Sequence, residues 1–197
     1  MTDTIKMNQL SRISFSLAFI LLVTTVSGQN ASDCRDEGCL ETLHFDSVRL
    51  NRNIPLMLKD AELISFLGQP DSIVTENDWE CGNYLNGDES VKILYYGKTR
   101  FMSSRGTSIL YVLNLEDDRF TFDFGSKQLK KGTSIEKLNE IFPNAVTCLN
   151  KGTQPYNREG RMKVKMVQTP GFADSSGWLF TFSNQMIKEV ELWWFIC

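Results

Sequence analysis

Lys59–Val74 (KDAELISFLGQPDSIV) and Thr133–Val146 (TSIEKLNEIFPNAV) read as two copies of one unit. Each has a polar start and apolar residues at i, i+3 and i+4: Leu63, Phe66 and Leu67 in the first, Leu138, Ile141 and Phe142 in the second. A proline, an Asp or Asn, a small residue and a β-branched residue follow in both. Proline disfavours helical geometry in the residue before it, so the pattern predicts a short helix that ends before Pro70 or Pro143 and turns into a strand. Asp60 is the expected N-cap of the first helix, with Gly68 and Pro70 as its stop. Thr133 and Glu136 have the spacing of a capping box at the start of the second.

Beyond each helix the pattern changes to strands. After the first come Ser72 to Glu76, a turn-rich loop from Asp78 to Ser90, and a strand from Val91 to Met102 centred on Tyr95, Tyr96 and Gly97. A hairpin is expected next, with Ser108 to Leu115 as one arm, Glu116, Asp117 and Asp118 as the turn, and a return arm in which Phe120, Phe122 and Phe124 alternate with Thr121 and Asp123. Such alternation gives one buried and one wet or partner-facing side. After the second helix come Ala145 to Leu149, a polar loop, a strand from Arg161 to Gln168, and a closing hairpin. In that hairpin Trp178, Phe180 and Phe182 stand at alternate positions, Ser183, Asn184 and Gln185 turn, and Met186 to Ile196 return.

Helix, strand, strand, hairpin thus occurs twice. The expected fold is α+β, two tandem units at residues 50–128 and 129–197, each a short helix packed on an antiparallel meander sheet. A helix this short is marginal alone and depends on its apolar face meeting a sheet. Coincidence between two short helix borders is the plain alternative.

The N-terminus is set apart from this. Lys6 and Arg12 precede an uncharged run from Ile13 to Val26, followed by Ser27 and Gly28, which reads as a secretory signal peptide over residues 1–28. The run falls short of the roughly 20 residues of a membrane span, so no permanent span is expected after cleavage. An uncleaved anchor helix is the competing reading. Residues 29–49 form a cysteine-containing leader. The whole chain has a formal charge of −3, and removing Lys6, Arg12 and Asp3 makes it more acidic. A basic stripe for nucleic acid is therefore not expected.

Cys34, Cys39, Cys81, Cys148 and Cys197 all follow the predicted cut. In an exported chain they are disulfide candidates, Cys34 with Cys39 as a local ring and Cys148 with Cys197 as the second pair. Five is odd, so one is free or pairs between chains.

The Leu129, Lys130, Lys131, Gly132, Thr133 lead into one helix and the Leu67, Gly68, Gln69, Pro70, Asp71 exit from the other resemble the helix borders of the SmpA/OmlA (BamE) group and of β-lactamase inhibitory protein, built from two such units in tandem. The second unit departs by lacking a glycine before its proline. The resemblance spans most of Leu50 to Ile196 and implies a protein-binding domain of the cell envelope with no catalytic residues to carry over.

The residues offer little chemistry of their own. His44 is the single histidine and has no cluster of Cys or His beside it, so no metal site or cofactor is expected. Asp117 with Asp118, and Asp88 with Glu89, fall in turns, where Asp is favoured for bonding nearby amides, and adjacent turn residues do not hold two carboxyls across a cleft. Lys163 and Lys165 alternate with Met162, Val164 and Met166, as on a strand with one solvated side.

The last strand is more informative. Val190, Leu192, Trp194 and Ile196 share one side, and Glu189, Glu191, Trp193 and Phe195 the other. If the first set packs inward, Trp193 and Phe195 stand on the opposite face, rimmed by Glu189, Glu191 and Lys188, with Leu110 and Val112 placed similarly. Aromatics so placed are typical interface anchors, although the leader or the other unit could equally cover them. The expected function is an exported, non-enzymatic protein-binding domain of inhibitor, immunity or assembly type, docking another envelope or extracellular protein through a sheet face. The competing class is an envelope hydrolase or small-ligand-binding protein with a site assembled from scattered residues.

Overall fold

Thirteen short strands, three α-helices and one 3-10 helix (Phe45–Ser47) are the regular elements among the described residues in a computed structural model, which covers residues 41–77, 90–151, 160–167 and 176–193. The fold is α+β. Residues 1–28, read above as an expected signal peptide, residues 29–40 with Cys34 and Cys39, and Cys81, Asp88, Glu89, Trp194, Phe195, Ile196 and Cys197 lie outside the described residues.

The first helix, α1 (Asp60–Leu67), ends at Gly68, whose φ of 81° only glycine adopts readily, and its amide still donates to the Ile64 carbonyl at 2.8 Å. Its N-cap is Lys59 rather than Asp60. Glu62 accepts from the Lys59 amide, which frees the Asp60 carboxylate to accept from Ser103 Oγ at 2.8 Å and Ser108 Oγ at 2.6 Å. That carboxylate bolts the helix onto two strands, while Leu63 is the fully buried residue of its apolar face.

The second border differs from the first. Ser134, not Thr133, caps α2 (Ile135–Asn139), accepting from the Lys137 amide, while Thr133 Oγ1 accepts from Lys130. Pro143 then opens a further helix, α3 (Pro143–Lys151), instead of aiming a strand. A proline suits the first helical position, where an amide hydrogen has no intrahelical partner. The next two amides, Asn144 and Ala145, donate to the carboxylate of Glu41 at 3.3 and 3.1 Å, a cap supplied from about a hundred residues away.

Strands β5 (Ser72–Glu76), β6 (Val91–Tyr96), β7 (Thr99–Ser104) and β8 (Thr107–Asn114) form one antiparallel meander. The predicted strand from Val91 to Met102 is two strands, because Gly97 (φ 63°) takes a turn conformation. Strands β11 (Arg161–Val167), β12 (Gly177–Ser183) and β13 (Met186–Trp193) form the second meander, with Asn184 and Gln185 at positive φ in the final turn. The two meanders share one nine-stranded sheet, joined where β13 pairs with the end of β8. β1 (Thr42–His44) adds in parallel beside β11, and β4 (Met57–Lys59) pairs with the start of β8.

A second, four-stranded sheet was not foreseen. It consists of β2 (Val48–Leu50), β3 (Ile54–Pro55), β9 (Phe122–Phe124) and β10 (Lys127–Leu129), in the order β10-β9-β2-β3. The expected return arm at Phe120–Phe124 is thus no partner of β8. It crosses to pair with β2 and β10, and Phe120, Phe122 and Phe124 are all buried. Between the sheets lies an aromatic core: the Phe122 ring meets Trp178 and Phe180 edge-on at 5.2 and 6.2 Å, and Phe142 stacks on Phe124 at 5.6 Å. Burial of such large rings is the main source of stability in a chain of this size.

Candidate functional site: the outer face of the large sheet

Register decides which side chains share a face. The row Leu113, Val190, Phe180, Met162 and the row Leu192, Trp178, Val164 point into the core, and all seven belong to it. Their neighbours along each strand point the other way. One outward row crosses seven strands: Ser72, Tyr95, Arg100, Val112, Glu191, Leu179 and Lys163. A second, shorter row carries Asn114, Glu189, Thr181 and Arg161.

The structure therefore brings together Trp193, Glu189, Glu191 and Val112 on this face. Leu110 stands apart from them. Between Arg100 and Phe101 the β7–β8 register skips Tyr111, so Arg100 opposes Val112 but Phe101 opposes Leu110. This bulge reverses the expected alternation, sends Leu110 into the core, and turns Tyr111 onto the outer face beneath Arg100.

Two cation–ring contacts order the face. The Arg100 guanidinium lies 5.2 Å from the Tyr111 ring centre, and Lys163 Nζ lies 4.3 Å from that of Trp193. Lys163 reaches Trp193 across Gly177, where a Cβ would come within 2.7 Å of Lys163 Cε and 3.1 Å of the Val164 carbonyl. Gly177→Ala should accordingly displace the lysine and cost about 1 kcal/mol, read as a changed Trp emission spectrum and a lower urea midpoint. An unchanged emission spectrum would show that the lysine does not need the gap.

Burial pushes the Glu191 carboxyl above the ordinary range, against the pull of Arg161 and Arg100, and Glu189 adds to the rise. Burial also raises Tyr111, helped by Glu191 and opposed by Arg100. A carboxyl whose folded pKa is raised binds more protons folded than unfolded, so stability falls as pH rises from its ordinary value through the raised one. Glu191→Gln removes this term. The variant should gain on wild type across that window in denaturant titrations, and a constant difference at every pH would exclude the effect.

Other sequence candidates have ordinary roles. His44 is exposed at the end of β1, its carbonyl accepting from Ser47. Asp117 accepts from the Arg119 amide within the turn, and Asp118 pairs with Lys131 at the surface. Cys148 is buried on α3 and disulfide-bonded, with all four other cysteines outside the described residues. No group of three or more His, Cys, Asp or Glu among the described residues is placed to hold a metal ion. Nor is any described helix long and apolar enough to cross a membrane.

Sequence reasoning missed one polar site. A cleft of about 350 Å³ opens beside the small sheet, lined by Ser47, Arg49, Arg52, Lys127, Gln128 and the buried Asp123 among others. Alternation with three phenylalanines placed Asp123 on a wet side. Its carboxylate instead accepts from the Arg52 amide, Thr121 Oγ1 and Gln128 Nε2 at 2.9, 2.5 and 2.7 Å. Those bonds hold the Asn51–Arg52 turn, both residues of which have positive φ.

No protein-family model, curated protein or solved structure matches the chain.

Proposed function

We propose that this is an exported, non-enzymatic binding protein of inhibitor, immunity or assembly type that docks another envelope or extracellular protein through the outer face of its large sheet. The observation that carries the reading is the outward row from Arg100 through Val112, Glu191 and Leu179 to Lys163, flanked by Tyr111 and Trp193. It combines two aromatic rings, each under a cation, with charges of both signs; Val112 and Leu179 lie buried at the floor of the row, and Arg100, Tyr111, Lys163, Glu191 and Trp193 are half-buried. Such a surface offers the aromatic and arginine anchors that dominate interface energetics. The finer organisation we propose is two tandem units, α1 with β5–β8 and the α2–α3 pair with β11–β13. The resemblance of the helix borders to the BamE group and β-lactamase inhibitory protein agrees with a binding role.

The competing small-ligand reading would use the Asp123 cleft. With three hydrogen bonds already on its oxygens, that carboxylate is occupied as a structural acceptor and poorly suited to act as a base.

The test is affinity capture of the exported protein from its native envelope, compared with Trp193→Ala/Phe195→Ala and Glu191→Lys variants. Each variant should weaken the captured interaction by about tenfold or more while the unfolding midpoint of the first stays near wild type. Retained binding in correctly folded variants would remove the outer face from consideration.

A further inference from the structure

Register across the small sheet sets Arg49 opposite Asp123, and Asp123 opposite Gln128. This row points away from the core, because the flanking Val48, Leu50, Phe122 and Leu129 belong to it. All three side chains line the cleft of about 350 Å³, a size that admits a small molecule. Arg52, from the turn after β2, and Lys127, at the start of β10, line it as well. The cleft thus gathers three basic residues and one acidic one, in a chain whose formal charge is −3.

The pairing of these groups matters more than their sum. Asp123 is occupied by a main-chain amide, a hydroxyl and a side-chain amide, none of them cationic. Arg49 Nη1 is held by the Asp46 and Val48 carbonyls, each at 2.7 Å. The charged ends of Arg52 and Lys127 make no hydrogen bond or ion pair among the described residues. Glu140 feels the charge of Lys127 but is itself ion-paired with Lys137. Arg52 is also conformationally costly. The turn closed by the Asn53 amide on the Leu50 carbonyl at 3.2 Å puts both central residues at positive φ, 48° for Asn51 and 72° for Arg52. Asparagine tolerates that region, and glycine would adopt it freely; arginine adopts it at a cost to stability. Its amide donates to Asp123 at 2.9 Å, so the buried carboxylate secures the turn that carries the guanidinium. Strain kept at a cleft, where glycine would relieve it, is a mark of a working site.

We infer that this cleft binds a small hydroxylated molecule bearing an oxyanion, either a carboxylate or a phosphate ester. The Arg52 guanidinium grips the oxyanion through paired, charge-assisted hydrogen bonds, and Lys127 adds a second positive charge. Ser47 Oγ donates to the His44 carbonyl and Gln128 Nε2 to Asp123, so the Ser47 oxygen and the Gln128 side-chain carbonyl remain to accept from hydroxyl groups of the ligand. The site binds and performs no chemistry, since its one carboxylate is occupied. It lies on the small sheet and does not depend on the outer-face reading.

Calorimetric titration with glucose 6-phosphate, gluconate and neutral glucose tests it. At least one of the two anions should half-saturate the protein at about 1 mM or below in low salt. Glucose should bind at least about tenfold more weakly, and the tighter anion identifies the charged group. Arg52→Gly should weaken that anion by about tenfold while the urea midpoint holds or rises, because glycine relieves the turn. Arg52→Lys keeps the charge without the planar fork and should weaken it by about threefold. Should Arg52→Gly lower the midpoint, Lys127→Ala, at an exposed position, replaces it and must weaken binding with the midpoint unchanged. Four results would overturn the inference: neither anion binding in the millimolar range, glucose binding as well as the anions, wild-type affinity in Arg52→Gly or in its replacement, or wild-type affinity in Arg52→Lys, which would reduce the site to diffuse charge attraction.

Discussion

Trp178→Ala is expected to destabilise the fold by about 3–5 kcal/mol, the range for removing a fully buried large aromatic ring. The residue sits on β12 in the inward row between Leu192 and Val164 and has no exposed surface. Its ring stacks on Phe45 at 6.1 Å and meets Phe122 edge-on at 5.2 Å, while its indole N–H donates to the Leu43 carbonyl at 3.3 Å. One side chain therefore touches the large sheet, the small sheet and the segment that leads into both. Alanine would leave a cavity among rings too rigid to close it and a carbonyl without its donor. Trp178→Phe keeps part of the ring volume, loses the same donor and should cost less. Urea unfolding measures both, and a loss below about 1 kcal/mol for alanine would mean that the rings repack freely.

Asp123→Ala should rank second, at about 2–4 kcal/mol, because it strands several donors at once in a buried position. Arg52 would lose the acceptor for a main-chain amide in a turn that already holds two non-glycine residues at positive φ, 48° and 72°. Thr121 and Gln128 lose theirs too. Asp123→Asn retains one acceptor oxygen and should fall between. The check is denaturant unfolding joined to amide exchange at Arg52, which should accelerate more than exchange in the large sheet. Uniform acceleration would instead mean that the carboxylate supports the whole fold and not this turn.

Features set by neighbours in sequence were legible; features set by distant partners were not. The stop of α1 follows from Gly68 and Pro70, and the outward placement of Glu189, Glu191 and Trp193 from their alternation with Val190 and Leu192. Pro143 misled because a proline serves equally after one helix and at the first position of another. What separates the cases is Glu41, whose carboxylate caps α3 from far along the chain. The phenylalanines of β9 announce a strand and say nothing about which sheet receives it. Tyr111 carries no mark of a bulge either, so Leu110 looked equivalent to Val112 and proved to face the other way.

The junction between the meanders is short: Val112 with Glu191, Leu113 with Val190, and Asn114 with Glu189. Mechanically it is a seam. Adjacent strands within either meander pair at five or more positions, so parting β8 from β13, held by three pairs and a bond from the Leu115 amide to the Lys188 carbonyl, breaks fewer backbone bonds than parting two strands inside a meander. Glu189 and Glu191 line one lip of that seam, opposite Asn114 and Val112, and any molecule gripping both sides of the outer face would act as a splint across it, raising the force needed to part the halves.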